Sequence, residues 1–222
     1  MTRTKSAPHA LIVGAGIGGL TAALCLARAG CKVTVLEQAW TVSELGAGLQ
    51  ISPNAARVLA SLGLHRELSR VGVQPNALIF RHYRSAQVIA SARVCDAMTA
   101  RYGAPYYHVH RADLVSLLLA ACLDSSEIQV VTGAAIDRIE ESVERVTAYA
   151  QGQSFAGSFL IGADGIHSFV REYLWGAEQP RFTGNVAWRA LLPVRNIESV
   201  RYSNAGCVWW GPGKHFVHYR VR

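Results

Sequence analysis

The chain has 222 residues, enough for one large domain or for one and a half. Half of its residues are hydrophobic and only 17% are charged, which excludes a globally disordered chain. The net charge of +7 comes mostly from Arg spread along the sequence, without a basic cluster interleaved with aromatics, so no nucleic-acid partner is expected; the excess suits either anionic ligands or a generic basic surface.

After a polar tail from Met1 to His9, the run Ala10-Leu11-Ile12-Val13 reads as a short buried strand ended by Gly14. Residues from about Ile17 to Ala29 predict an Ala/Leu-rich helix closed by Gly30, and Lys32 to Leu36 predicts a second, β-branched strand. A right-handed β-α-β crossover makes these two strands parallel neighbours. Ser52 is placed as an N-cap with Pro53 in the first turn of a helix running toward Leu62. From Ala77 to Val94 the pattern becomes strand-like with a polar break at Ser85. Tyr106 to His110 is another strand, followed by a helix from Arg111 to about Leu123 with Leu114, Leu117, Leu118 and Ala121 at helical spacing. Segments around 128–131, 134–140, 143–150 and 155–161 read as strands. From Val186 onward the chain is again strand-rich, with turns at Pro193, Asn204-Ala205-Gly206 and Gly211-Pro212-Gly213.

The apolar stretch from Ala10 to Ala29 follows a basic N-terminus, yet Gly14, Gly16, Gly18, Gly19 and Gly30 break it, so neither a signal peptide nor a membrane span is expected. Cys25, Cys31, Cys95, Cys122 and Cys207 form no CxxC pair and read as reduced thiols of a cytoplasmic protein. His108 and His110 alternate in a strand, but no third ligand is spaced to join them, and no metal site is expected.

The segment Gly14-Ala15-Gly16-Ile17-Gly18-Gly19 fits G-x-G-x-x-G between a strand and a helix. Gly14 allows the tight turn, Gly16 lets a pyrophosphate approach the backbone, and Gly19 lets the helix pack close to the sheet. The helix N-terminus offers unpaired N–H groups to phosphates. Glu37, 18 residues beyond Gly19 and followed by Gln38, is placed to accept hydrogen bonds from ribose hydroxyls and would repel a 2′-phosphate. The turn alone does not separate FAD from NAD.

A second segment, Phe159-Leu160-Ile161-Gly162-Ala163-Asp164-Gly165-Ile166-His167-Ser168-Phe169-Val170-Arg171, resembles the Asp-Gly motif of the flavoprotein aromatic-ring hydroxylases, in particular their salicylate-hydroxylase-like branch. The resemblance continues in Gly46-Ala47-Gly48-Leu49-Gln50-Ile51-Ser52-Pro53-Asn54-Ala55, which looks like the segment passing the flavin ring. It is also carried by His110-Arg111-Ala112-Asp113-Leu114, whose Arg reaches the FAD in that family. Thr183-Gly184, Ala187-Trp188-Arg189 and Gly211 to His215 extend it over nearly the whole chain. It implies Gly48, Arg111 and Asp164 as further cofactor residues, with Gln50 a weaker candidate near the flavin.

By this resemblance the chain is an α/β protein with a Rossmann-like FAD/NAD(P)-binding β-α-β domain and an incomplete β-sheet-rich substrate domain. The expected division is an FAD-binding domain at 1–181, with an inserted substrate-side segment at about 75–105, and the start of a truncated β-rich domain at 182–222. The implied activity is hydroxylation of a phenolic or hydroxypyridine ring with FAD, NADH or NADPH as reductant, and O2. The implied partners are a small aromatic substrate, no nucleic acid, no membrane, and a homodimer. In the terminal strand His215, Val217 and Tyr219 alternate onto one face, and relatives acting on hydroxypyridines place a His and a Tyr at this spacing. His215 and Tyr219 are therefore candidate catalytic residues, against the alternative of an edge strand with satisfied polar side chains. Two departures stand out: relatives often carry an Arg near Ser43, and the family's later Gly-Asp motif has no counterpart here. A non-catalytic FAD-binding remnant and an NAD-dependent dehydrogenase are the competing readings.

Overall fold

The computed structural model describes residues 7–42, 47–193, 195 and 204–221. Ser43 and Gly46 lie outside the described residues. In chain order the first half contains β1 (His9–Val13), α1 (Ile17–Arg28), β2 (Lys32–Leu36), β3 (Gly48–Ile51), α2 (Pro53–Ser61), α3 (His65–Val71), β4 (Gly72–Val73), β5 (Ala77–His82), β6 (Val88–Arg93), α4 (Asp96–Tyr102) and β7 (Tyr107–His110). There follow α5 (Arg111–Leu123), β8 (Ile128–Val131), β9 (Ile136–Glu141), β10 (Val146–Ala150), β11 (Gln153–Gly157), β12 (Phe159–Gly162), α6 (Phe169–Trp175), β13 (Ala205–Gly211) and β14 (Lys214–His218). They group into two compact units, residues 1–44 with 115–186, and residues 45–114 with 187–222.

The first unit is built on a parallel sheet of order β12-β1-β2-β8. Its central strands carry continuous apolar runs because both faces are covered: Ala10, Leu11, Ile12, Val35 and Leu36 have no exposed surface. Alternation along β1 sends Leu11 and Val13 to one face and Ala10 and Ile12 to the other. Leu11, Val13 and Leu36 meet Val146, Ala148 and Ala150 of the antiparallel meander β11-β10-β9, and Val170 of α6 closes this core. Helix α1 packs along β1 and β2 through buried Leu20 and Ala23, and Cys122 of α5 reaches the Leu20 carbonyl.

One strand expected over 155–161 is two strands in different sheets. The reason is local. A Cβ on Gly157 would lie 2.8 Å from the His9 carbonyl oxygen, so the chain passes β1 at a glycine. Ser158 then donates its N–H to His9 O (2.7 Å) and accepts the His9 N–H at its hydroxyl (3.2 Å), which turns the chain from the meander into the parallel sheet.

The second unit holds an antiparallel sheet β3-β7-β4 and a mixed sheet β14-β13-β5-β6, in which β13 runs parallel to β5. Pro53 opens α2 as expected, but the Ser52 hydroxyl bonds the Asn54 side chain rather than a helix N–H. Helices α3 and α4 span only seven residues each, too short to show a helical period in the sequence. The strand-rich reading holds for β13 and β14. Residues 186–193 carry no regular element, and Ala205-Gly206, read as part of a turn, begins β13.

No helix among the described residues is long and apolar enough to cross a membrane.

Candidate functional site

In the first unit the glycines of the β1–α1 turn divide into two kinds. Gly14 has φ +103°, and a Cβ there would lie 2.5 Å from the Ala163 carbonyl oxygen, so only glycine allows the turn to pass the 163–164 segment. A Cβ on Gly19 would overlap the Gly14 carbonyl oxygen, which is how α1 comes so close to β1. Gly16 and Gly18, by contrast, face open space. Gly16 is the N-cap of α1. It brings no capping side chain, and no acidic residue stands in the first turn. Four N–H groups at a helix start have no intrahelical partner, and an acid-free, uncapped start leaves the positive end of the helix dipole to an anion. Half-buried Ile17 lies between the two open glycines.

Glu37, at the end of β2, is tied to this turn directly. Its Oε2 accepts the N–H of buried Ala15 (2.7 Å) and its Oε1 accepts that of Ala39 (2.9 Å). Its backbone is held by Val131 O and by the Ala134 N–H. A carboxylate has about four acceptor sites, so two remain for a ligand's hydroxyls. Gln38 is exposed and turned out of this arrangement. Asp164 is engaged locally: it accepts from the Ser168 hydroxyl and from the Val170 N–H (3.1 Å), while Ser168 accepts the Arg171 N–H (2.9 Å). These bonds fix the β12–α6 turn, and through Ala163 that turn presses on Gly14.

In the second unit β3 and β7 pair Gly48 with His110 and Gln50 with His108. The Tyr106 phenol donates to Gln50 Oε1 (2.8 Å), and the Tyr219 ring lies 4.3 Å from the His108 ring. A Cβ on Gly48 would come within 2.8 Å of the Tyr219 phenol oxygen, so the missing side chain of Gly48 is the space that Tyr219 fills. Burial, with Tyr219 second, pushes the Tyr106 phenol up to about 12; burial also raises that of Tyr219, opposed by the Arg189 cation. Both phenols therefore stay protonated at neutral pH. Arg111 opens α5, its N–H bonded to Ala47 O (3.0 Å). His215 is exposed in β14 opposite Trp210. Strand pairing ends at His218, so packing on His108, rather than strand alternation, sets the place of Tyr219.

The FAD binding domain family matches residues 8–208. The chain belongs to this family. It is 37% identical over 213 residues to 3-hydroxybenzoate 6-hydroxylase 1 of Aquipseudomonas alcaligenes, covering 96% of this chain and 54% of that protein. It is 34% identical over 219 residues to 6-hydroxynicotinate 3-monooxygenase of Pseudomonas fluorescens, covering 98% and 56%. Among solved structures, Klebsiella pneumoniae HpxO complexed with FAD and uric acid superposes with a TM-score of 0.74 at 26% identity, covering 95% of this chain and 52% of that one. The chain thus spans about half the length of the curated relatives it matches.

The residues of the first unit fit the FAD of this family: an open glycine face, an uncapped helix start and a carboxylate with spare acceptor capacity meet at one turn. Among the described residues no group of three or more His, Cys, Asp or Glu could hold a metal ion. In the sequence Tyr106 stood out only as the start of a strand, and His108 only as a metal ligand lacking a third partner. The signal was present in Tyr106-Tyr107-His108-Val109-His110, where alternate positions of one strand carry polar aromatic rings.

Proposed function

We propose that this protein is the cofactor-binding part of an FAD-dependent monooxygenase that hydroxylates a phenolic or hydroxypyridine ring, using NADH or NADPH and O2. The observation that carries the reading is the Glu37 carboxylate bonded to the Ala15 N–H beside the open, acid-free start of α1. Glu37 holds the ribose hydroxyls, and Gly14 to Gly19 with the first N–H groups of α1 receive the pyrophosphate. Bound FAD supplies the redox chemistry. The protein's own task is to hold the ring, exclude water and manage the proton of the ring hydroxyl. Tyr219, protonated at neutral pH, donates a hydrogen bond to the ring's oxygen, Tyr106 fixes the Gln50 side chain through its own hydroxyl, and His215 assists Tyr219 in orienting the ring. The named activities of the 3-hydroxybenzoate and 6-hydroxynicotinate enzymes support the substrate class.

The test is the visible spectrum of the purified chain after incubation with FAD and gel filtration, followed by NADH and NADPH oxidation with 3-hydroxybenzoate and 6-hydroxynicotinate. A flavin spectrum retained by the wild type and lost in Glu37→Ala is expected. A colourless wild-type protein would sink the cofactor reading. We place the protein in the cytoplasm, a reading supported by five free cysteines. A homodimer is supported by the exposure of Trp175, Phe182 and Trp188, and a monomer in sedimentation velocity would refute it.

A further inference from the structure

Tyr219 is not held by its own strand, and what holds it is unusual. Its ring lies 4.3 Å from that of His108, with the planes tilted by 33°. His108 is 1% exposed, and its Nε2 has no hydrogen-bond partner. A Cβ on Gly206 would sit 2.8 Å from Leu78 Cδ2, 3.0 Å from His108 Cε1 and 3.2 Å from its Nε2. Tyr219 in turn fills the space left by Gly48. A glycine thus stands against each ring: a side chain at Gly48 would meet the Tyr219 phenol, and one at Gly206 would crowd the His108 imidazole together with Leu78. Tyr106 meets the edge of His108 at 5.7 Å and carries its own hydroxyl to Gln50.

A buried imidazole nitrogen without a partner is costly, and such groups call for an explanation beyond packing. Burial pushes the His108 pKa down to about 4, so the ring beneath Tyr219 is neutral at neutral pH. The charged or titrating groups that bear on the Tyr219 phenol are then Arg189, which favours its ionisation, and Tyr106. A neutral ring beneath the phenol adds no cation to Arg189, and by burying the phenol it opposes loss of the proton.

We propose that His108 is the positioning residue for Tyr219: wedged against Gly206, its uncharged ring fixes the phenol over Gly48 and keeps it a proton-bearing donor toward the oxygen of a bound aromatic ring. The proposal rests on the reading of Tyr219 as a substrate-facing group, and the test separates the two. Tyrosinate absorbance is titrated in the wild type and in Tyr219→Phe; their difference isolates Tyr219. The same titration is run on His108→Phe, His108→Ala and Gly206→Ala, and the binding of 3-hydroxybenzoate to each FAD-loaded protein is measured alongside.

His108→Phe, which keeps a neutral ring, is expected to preserve both the high titration of Tyr219 and an affinity within about twofold of wild type. His108→Ala is expected to move Tyr219 down toward the ordinary tyrosine range and to weaken 3-hydroxybenzoate binding about tenfold or more. Gly206→Ala shifts His108 without removing it and moves both readouts the same way by less. That variant carries the test if His108→Ala does not fold. Tyr219 titrating as in wild type in both His108→Ala and Gly206→Ala would overturn the proposal. A moved titration with unchanged 3-hydroxybenzoate affinity would uphold the positioning of Tyr219 and count against its substrate role.

Discussion

Gly18 and Gly19 are adjacent, chemically identical and both helical, yet the structure assigns them opposite responses to alanine. A Cβ on Gly18 meets nothing within 4 Å, so Gly18→Ala, in the first turn of α1, gains part of the roughly 1 kcal/mol that the replacement brings in a helix interior. A Cβ on Gly19 would overlap the Gly14 carbonyl oxygen, lie 3.0 Å from that carbonyl carbon and 3.4 Å from the Ala163 Cβ. The first two are backbone atoms, in a turn already pinned by the Gly14 N–H to Leu36 O bond (2.7 Å), and no rotamer change relieves the clash. Overpacking of this kind costs about 1–3 kcal/mol or more, which exceeds the propensity gain. Urea unfolding followed by circular dichroism should show a higher midpoint for Gly18→Ala than for wild type. Gly19→Ala should show a lower one, with a melting temperature down by about 2–8 °C. If Gly19→Ala unfolds at or above the wild-type midpoint, the close approach of α1 to β1 is wrong, and the assignment of the turn to a dinucleotide loses its geometric basis.

Replacing Glu37 by Gln sets the amide NH2 against one of the two bonded N–H groups, of Ala15 or Ala39, leaving it without an acceptor; stability should fall by about 1–3 kcal/mol and FAD affinity, measured by flavin fluorescence, by about tenfold or more. Asp164→Ala removes acceptors from the Ser168 hydroxyl and the Val170 N–H and should cost about 1–3 kcal/mol in urea unfolding, whereas a loss of FAD affinity at unchanged stability would show that its carboxylate serves the cofactor directly. His108 makes the fold acid-sensitive. Its folded pKa, about 4, lies below the unfolded value of 6.5, so its neutral form stabilises the fold above pH 6.5. As pH falls from 6.5 to about 4 the unfolded chain takes up the proton first, and up to about 3 kcal/mol is lost. The slope of stability against pH in this window should flatten in His108→Phe.

The cofactor side was legible because its determinants are local. The turn, helix and second strand occupy consecutive residues, and each glycine answers to a backbone requirement that the spacing already expresses. The link from Glu37 to Ala15 joins residues 22 apart, at the ends of adjacent parallel strands, so right-handed crossover predicts it. The second unit was less legible because its contacts are distant in sequence. Nothing around Tyr219 announces that it will rest on His108 or fill the space at Gly48, and nothing in Asn204-Ala205-Gly206 shows that β13 will begin inside an apparent turn. The break at Ser158 escaped for the same reason: Gly157-Ser158 is a short interruption between apolar residues, and it is the approach of His9 that turns it into a change of sheet.

The parallel pairing of β13 with β5, Ala205 beside Ala77, fixes an order of events during synthesis. The β5–β6 hairpin closes over a few residues and can form as soon as it leaves the ribosome, but one edge of β5 then waits until residue 205 has been made. In that interval Ile79 and Phe80 sit on a strand with free N–H and C=O groups, open to pairing with a neighbouring nascent chain. The described residues of the first unit lie before position 187, whereas β13 and β14 of the second follow residue 204. Long-range closure of this kind is slow relative to local folding, so the nascent chain passes through a stage in which the hairpin is formed and β5 still offers an unpaired edge.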